Sequence, residues 1–187
     1  MAKIIVVTGQ SQSGKTTFSN YLKSAHDYME AHPIEDMKSF FEQHYGLLPG
    51  TLSSADGKAK VLNNYTGLTG QQLLVDMWKY FSQVDPLFST HYLRRLLPGC
   101  VLYGVPVVIN GVRSVSEVNV IFEVYSPDDV IHVVMRRDES YREVSDSDSD
   151  MVFYSLFYTL RRFITVSNNG TLDELYELAD EVVRRAS

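Results

Sequence analysis

Lys3-Ile4-Ile5-Val6-Val7-Thr8 runs directly into Gly9-Gln10-Ser11-Gln12-Ser13-Gly14-Lys15-Thr16, an apolar strand ending in the complete pattern G-x-x-x-x-G-K-S/T. Gly9 and Gly14 permit backbone geometries that other residues resist, so successive N–H groups can turn inward around the phosphates of a nucleotide. Gln12, Ser13, Gly14, Lys15, Thr16 and Thr17 are therefore the candidate ATP-binding residues of this loop. Lys15 is placed for the β- and γ-phosphates, and Thr16 offers a hydroxyl to Mg²⁺. The helix opening at Gly14 aims its positive end at the same anion.

Outward from the loop, residues 15–25 read as a helix, with Phe18, Tyr21 and Leu22 at helical spacing. A short strand is expected over 27–31. Pro33 then favours a helix start, and residues 34–45 continue with Met37, Phe40 and Phe41 on one face. Pro49, Gly50, Ser53, Ser54 and Gly57 mark 46–66 as an irregular excursion. A helix resumes near Thr69, striped with Leu73, Leu74, Met77, Trp78 and Phe81. Asp85-Pro86 ends it, and 87–97 reads as one more helix, stopped by Pro98-Gly99.

Val105-Pro106-Val107-Val108-Ile109-Asn110 and Val130-Ile131-His132-Val133-Val134-Met135 are nearly continuous apolar runs, as strands buried on both faces of a parallel sheet require. Ser114 can cap a helix over 115–125. Phe163-Ile164-Thr165-Val166 is a shorter strand, and Thr171 with Glu174 forms the capping box of a last helix. Strands alternating with helices imply a doubly wound parallel sheet whose site lies at the strand carboxyl ends.

At 187 residues the chain fits one domain. A hydrophobic fraction of 44% and a charged fraction of 21% are those of a soluble globular protein, and no apolar run approaches the roughly 20 residues needed to span a bilayer. One cysteine, Cys100, excludes an internal disulfide and suits a reducing cytoplasm. The net charge of −6 argues against wrapping a nucleic-acid backbone while allowing a small anionic substrate in a local basic pocket. The five histidines show no metal spacing. His32, before Pro33 at a strand end, either touches substrate or is structural. Phe153, Tyr154, Phe157 and Tyr158 recur at helical spacing, as in a helix packed on the core.

The polar stretch from Arg136 and Arg137 through Arg142 to Asp150 is either a solvated loop or a lid that excludes water during phosphoryl transfer. A GTPase switch would show Asn-Lys-x-Asp after a strand, and none is present. A motor ATPase would be larger and end a strand in an acid, whereas this strand ends in Asn110. Small size, a helical insertion and an arginine-bearing segment favour a small-molecule kinase.

Six pieces of the chain, five of them beyond the loop, carry a resemblance. They are Pro33-Ile34-Glu35-Asp36, Thr69-Gly70, Val112-Arg113 with Glu117, Ile131-His132-Val133-Val134 followed by arginine, Ser13-Gly14-Lys15 itself, and Ser167-Asn168-Asn169-Gly170-Thr171-Leu172-Asp173-Glu174-Leu175. In order and spacing the chain resembles the bacteriophage deoxynucleoside monophosphate kinases, within the wider P-loop nucleotide kinase group.

The resemblance implies a three-layer α/β P-loop NTPase fold with about five parallel strands, helices on both faces, a helical acceptor-binding insertion and a lid. A single domain, 1–187, would hold a core of 1–33, 100–135 and 163–187, the insertion 34–99, and the lid-like segment 136–162. It implies Mg²⁺, ATP as co-substrate and a deoxynucleoside monophosphate as acceptor, in the cytoplasm, with a homodimer possible. Lys15, Arg113, Arg136 and Arg137 would be catalytic. Asp36, Gln71, Gln72 and Arg113 would meet the acceptor, and Asn168 and Gly170 would pass along the adenine.

Several residues have second readings. Asp36 either orients the acceptor or binds metal through water, or else is a first-turn carboxylate favoured by the helix dipole. Arg113 either clamps phosphate or pairs with Glu117, and Asn168 with Gly170 either follows the adenine or forms only a turn. Two departures bear on the acceptor: Gln71-Gln72 stands where the phage enzymes have an arginine pair, and Gly111 where they have an aspartate. The alternatives are a kinase whose acceptor is a hydroxyl, on a metabolite or a modified base in phage DNA, or a nucleotide-binding protein with little turnover.

Overall fold

A computed structural model describes residues 4–9, 12–63, 67–137 and 162–186. Along the chain these form β1 (Ile4–Gly9), α1 (Lys15–His26), β2 (Met29–Ala31), α2 (Glu35–His44), α3 (Ala55–Ala59), β3 (Val61–Asn63), β4 (Leu68–Thr69) and α4 (Gly70–Val84). Then follow α5 (Phe88–Tyr103), β5 (Val107–Asn110), α6 (Val115–Val124), β6 (Val130–Arg136), β7 (Phe163–Ser167) and α7 (Leu172–Ala186). Two compact units emerge: Met1–Pro33 together with Leu93–Ser187, and Ile34–Tyr92. The segment 138–161, with Arg142 and the aromatic repeat at 153–158, lies outside the described residues, as do Gln10 and Ser11.

The first unit is a five-stranded parallel sheet in the order β2-β5-β1-β6-β7. Ile4 to Val7 and Val107 to Ile109 are wholly buried, which is why these strands read as continuous apolar runs rather than alternating ones. One face buries Ile5, Val7, Val108, Ile131, Val133 and Met135 under Phe18 and Leu22 of α1 and Leu175, Ala179 and Val182 of α7.

Chain direction sets which face each helix takes. The β1-to-β2 crossover runs toward one edge of the sheet. The steps from β2 back to β5, and from β5 to β6, run the other way, so right-handed connections put α5 and α6 on the opposite face. Leu93, Leu97 and Cys100 of α5 and Val118, Val120 and Ile121 of α6 are buried there. On the α1 and α7 side, Tyr21 stacks on Tyr176 at 4.1 Å, and Asp180 Oδ1 accepts from the Tyr21 hydroxyl at 2.9 Å and pairs with His26 Nε2 at 2.7 Å. These two bonds hold the Asp180 carboxyl below the usual carboxylate range.

Three sequence-based expectations are corrected. The helix expected to stop at Pro98-Gly99 continues to Tyr103. Proline inside a helix costs about 3 kcal/mol, but Leu93, Leu97 and Cys100, one and two turns apart, are all buried, and a buried leucine is worth about 1.5–3 kcal/mol. In α2, Phe40 points to solvent; Met37 and Phe41 are buried with Lys38 and Glu42, the face set by the i, i+4 pair.

The third correction is the excursion at 46–66. It contains a 3₁₀ turn at Thr51–Ser53, the capped helix α3, and strand β3, which pairs antiparallel with β4. Glu42 organises the start of this stretch, its two carboxylate oxygens accepting the N–H groups of Gly50 (2.9 Å) and Leu52 (2.7 Å). Leu52 is thereby fixed in a core of Met37, Phe41, Leu73 and Leu74. Ser54 then caps α3 by accepting from Gly57 N at 3.0 Å. The glycine, proline and serine composition was turn and cap chemistry, not an absence of structure. Glu42→Ala leaves the buried N–H of Leu52 and the part-buried N–H of Gly50 without their acceptor and is expected to lower stability by about 2 kcal/mol; an unmoved urea midpoint would exclude this role.

Candidate functional site

All five strands of the sheet are parallel, so their carboxyl ends share one edge, and the chain turns there after β1, β2, β5, β6 and β7. At the order reversal, β1 leads into α1 on one face and its neighbour β5 leads into α6 on the other. In open parallel sheets, ligands bind outside the strand carboxyl ends at such a divergence.

The loop between β1 and α1 occupies this edge. Gly14 caps α1 in the left-handed region at φ 94°, a conformation with little penalty only for glycine, and it contributes no side-chain acceptor. The first turn of α1 holds no acidic residue, so its amide groups face outward with their positive end uncompensated. Ser13 is wholly buried, and its hydroxyl makes no hydrogen bond within the described residues. Gln12 also takes a left-handed conformation, at φ 63°, strain of about 1–3 kcal/mol of the kind held at ligand loops.

Lys15 Nζ donates to the Gly9 carbonyl at 2.8 Å, folding the ammonium back over the loop. Thr16 and Thr17 are exposed in the first turn. These are features that a phosphate chain with a bound cation needs: a helix start with no acid in its first turn, an ammonium at the loop, and a hydroxyl one residue on.

Asn168, just past β7, braces the loop: its Nδ2 donates to Ser13 O at 3.1 Å, and its own N–H donates to Arg136 O at 2.7 Å. A side chain on Gly14 would collide with that amide. Asn168 and Gly170 also line a cleft of about 430 Å³ along α7, together with Thr171 and Glu174. The capping box at Thr171 is present, with Glu174 Oε2 accepting from Thr171 N at 2.6 Å. The brace was missed in the sequence because it depends on the pairing of β6 with β7.

Arg113 is exposed after β5, and Arg136 and Arg137 are exposed at the end of β6. Between Arg113 and Glu117 the structure shows a main-chain bond: the buried Glu117 carboxylate accepts from the N–H groups of Arg113 (2.6 Å) and Ser114 (3.2 Å). Asp36, in the first turn of α2, and Gln71 and Gln72, in the first turn of α4, are exposed and belong to the second unit. Gln72 N–H donates to the capping Thr69 hydroxyl at 3.2 Å.

Two histidines are placed by the fold in ways their spacing did not reveal. His132, central in β6, is wholly buried; its Nε2 is hydrogen-bonded to Thr8 Oγ1 at 2.6 Å, next to the start of the loop. Burial pushes its imidazole down to about 4. His32 follows β2 and lies against Gly111, the residue after β5. Among the described residues, no helix is long and apolar enough to cross a membrane.

No family model matches the chain, and no curated protein matches it in sequence. Among solved structures, a sugar kinase from a Janibacter species is 16% identical, the match covering 98% of this chain and 95% of that one at a TM-score of 0.48. A thymidylate kinase from Ehrlichia chaffeensis is 12% identical over 97% of this chain and 98% of its own, also at 0.48. A dephospho-CoA kinase from Campylobacter jejuni is 11% identical over 100% and 98%, at 0.44.

Proposed function

We propose that this chain is a P-loop kinase that transfers the γ-phosphoryl of ATP to the 5′-phosphate of a deoxynucleoside monophosphate. The observation that carries the reading is the β1–α1 loop: a left-handed Gly14, a helix start with no acid in its first turn, a buried Ser13 hydroxyl and Lys15 folded over the loop. Thr16 is the residue that would hold Mg²⁺, which when bound screens the charge of the phosphate oxygens.

The chain's own part is positioning and charge neutralisation. Lys15 meets negative charge as it develops on the transferring group, and the α1 amides hold the donor's phosphates in line. Arg113, Arg136 and Arg137 follow the strands that flank β1, where guanidinium groups can clamp phosphate oxygens. A phosphate acceptor is already anionic at neutral pH, so no strong general base is needed. The family resemblance carried by the quoted motifs supports the monophosphate as acceptor.

The test is ADP release from Mg²⁺-ATP with dAMP, dGMP, dCMP or dTMP, against a control without acceptor. ADP formation that depends on one monophosphate is the expected result. Release only with hydroxyl-bearing acceptors would replace the acceptor class, and tight ATP binding with no release would leave a binding protein.

A further inference from the structure

The register of the sheet brings together two residues that the sequence keeps far apart. β2 pairs with β5, Ala31 opposite Ile109, so the residues that follow these strands emerge side by side at the carboxyl edge. They are His32 and Gly111. Gly111 takes φ 86°, and a Cβ built on it would collide with His32 Nε2 and lie 2.9 Å from Cε1 and 3.0 Å from Cδ2. The imidazole of His32 thus fills the volume that a side chain at 111 would occupy. His32 is partly exposed, whereas Pro33 behind it is buried.

The surrounding charge says what such a ring would meet. In a chain of net charge −6, the turns after four neighbouring strands each bring a basic group to this edge: Lys15 after β1, His32 after β2, Arg113 after β5, and Arg136 with Arg137 after β6. The acid nearest in sequence to Gly111, Glu117, is buried and turned to the main chain of Arg113 and Ser114. One set of phosphates, on the β1 loop, leaves the β2 and β5 side of this edge to a second anion.

We propose that His32 is an acceptor-binding residue, its imidazole donating a hydrogen bond to the phosphate monoester of the acceptor beside Gly111. The inference rests on the phosphoryl-transfer reading above and names the residue on the acceptor side of that site. A side chain at 111 would displace the ring, so the bare backbone there belongs to the same device.

The experiment follows the imidazole signals of ¹⁵N-histidine-labelled wild-type protein during titration with Mg²⁺-ATP, then with each monophosphate and with inorganic phosphate. Kinetics of His32→Ala and His32→Gln run alongside. The monophosphate that supports ADP release is expected to move the His32 signal while those of His26 and His91 stay in place. His32→Ala is expected to raise the KM for that acceptor about tenfold, the loss of one charge-assisted hydrogen bond. The KM for ATP stays unchanged, and His32→Gln, which keeps a donor, recovers part of the loss.

Transfer to a monophosphate with the His32 signal unmoved and the acceptor KM unaltered overturns the inference and leaves the kinase reading standing. A chain that binds Mg²⁺-ATP but passes phosphate to no monophosphate overturns the acceptor assignment and this inference together. A chain that does not bind Mg²⁺-ATP overturns the phosphoryl-transfer reading itself. Because the titration uses the wild-type protein, a variant that fails to fold does not blunt the test.

Discussion

Lys15→Ala is expected to lower the rate of phosphoryl transfer by about 10²–10³, the effect of removing one preorganised electrostatic donor from a reacting oxyanion, while the protein stays folded. The fold is spared because Lys15 is only partly buried, and its ammonium bonds the Gly9 carbonyl in its own loop. An exposed main-chain carbonyl can be satisfied by water instead. Catalysis is not spared, because the α1 amides supply direction and partial charge but no full positive charge on the loop. The measurement is single-turnover ADP formation beside a thermal melt. Wild-type turnover in a folded Lys15→Ala protein would remove the phosphate loop from the chemistry.

The second large effect concerns acid. His132 is buried and neutral in the folded chain, with its imidazole pushed down to about 4, whereas in the unfolded chain it takes a proton near its ordinary value of about 6.5. Its folded value lies below its unfolded one, so unfolding takes up a proton between the two. The contribution is intact above about pH 6.5 and is lost as the pH falls toward 4. At about 1.4 kcal/mol for each pH unit in that window, the loss approaches about 3 kcal/mol.

Urea midpoints of the wild type and of His132→Gln, compared from pH 7.5 to 4.5, isolate the effect. Glutamine can keep a bond to Thr8 but does not titrate, so its curve is expected to be flatter over the window. Parallel curves would show that the ring is not held neutral by burial. Because Thr8 immediately precedes Gly9, loosening by acid is expected first where β1 enters the phosphate loop.

The parts of the fold visible in the sequence are those with local causes. β1, β5 and β6 are buried on both faces, which writes itself as nearly continuous apolar runs, and Ser114 and Thr171 announce their helices as capping residues, each with a glutamate three residues on. The phosphate loop is likewise a contiguous pattern whose glycines, lysine and threonine are each needed within eight positions.

What stayed hidden depends on which strands and helices become neighbours. Asn168 reaches Ser13 only because β7 joins the sheet beside β6, and His32 meets Gly111 only because β5 slips between β2 and β1. Pro98 looked like a terminator because the burial of Leu93, Leu97 and Cys100 is a tertiary fact. Glu42 drew no reading from the sequence, because its two amide partners lie in a stretch whose composition read as an irregular excursion.

The contact between His32 and Gly111 has a genealogical side. An imidazole at 32 and any side chain at 111 compete for one volume, so position 111 is not free to drift while the ring stays where it is. A descendant that acquires an aspartate at 111 must push the ring at 32 aside or trade it for something smaller, and must bear a left-handed backbone there as well. Positions 32 and 111 are therefore expected to change as a pair along a lineage.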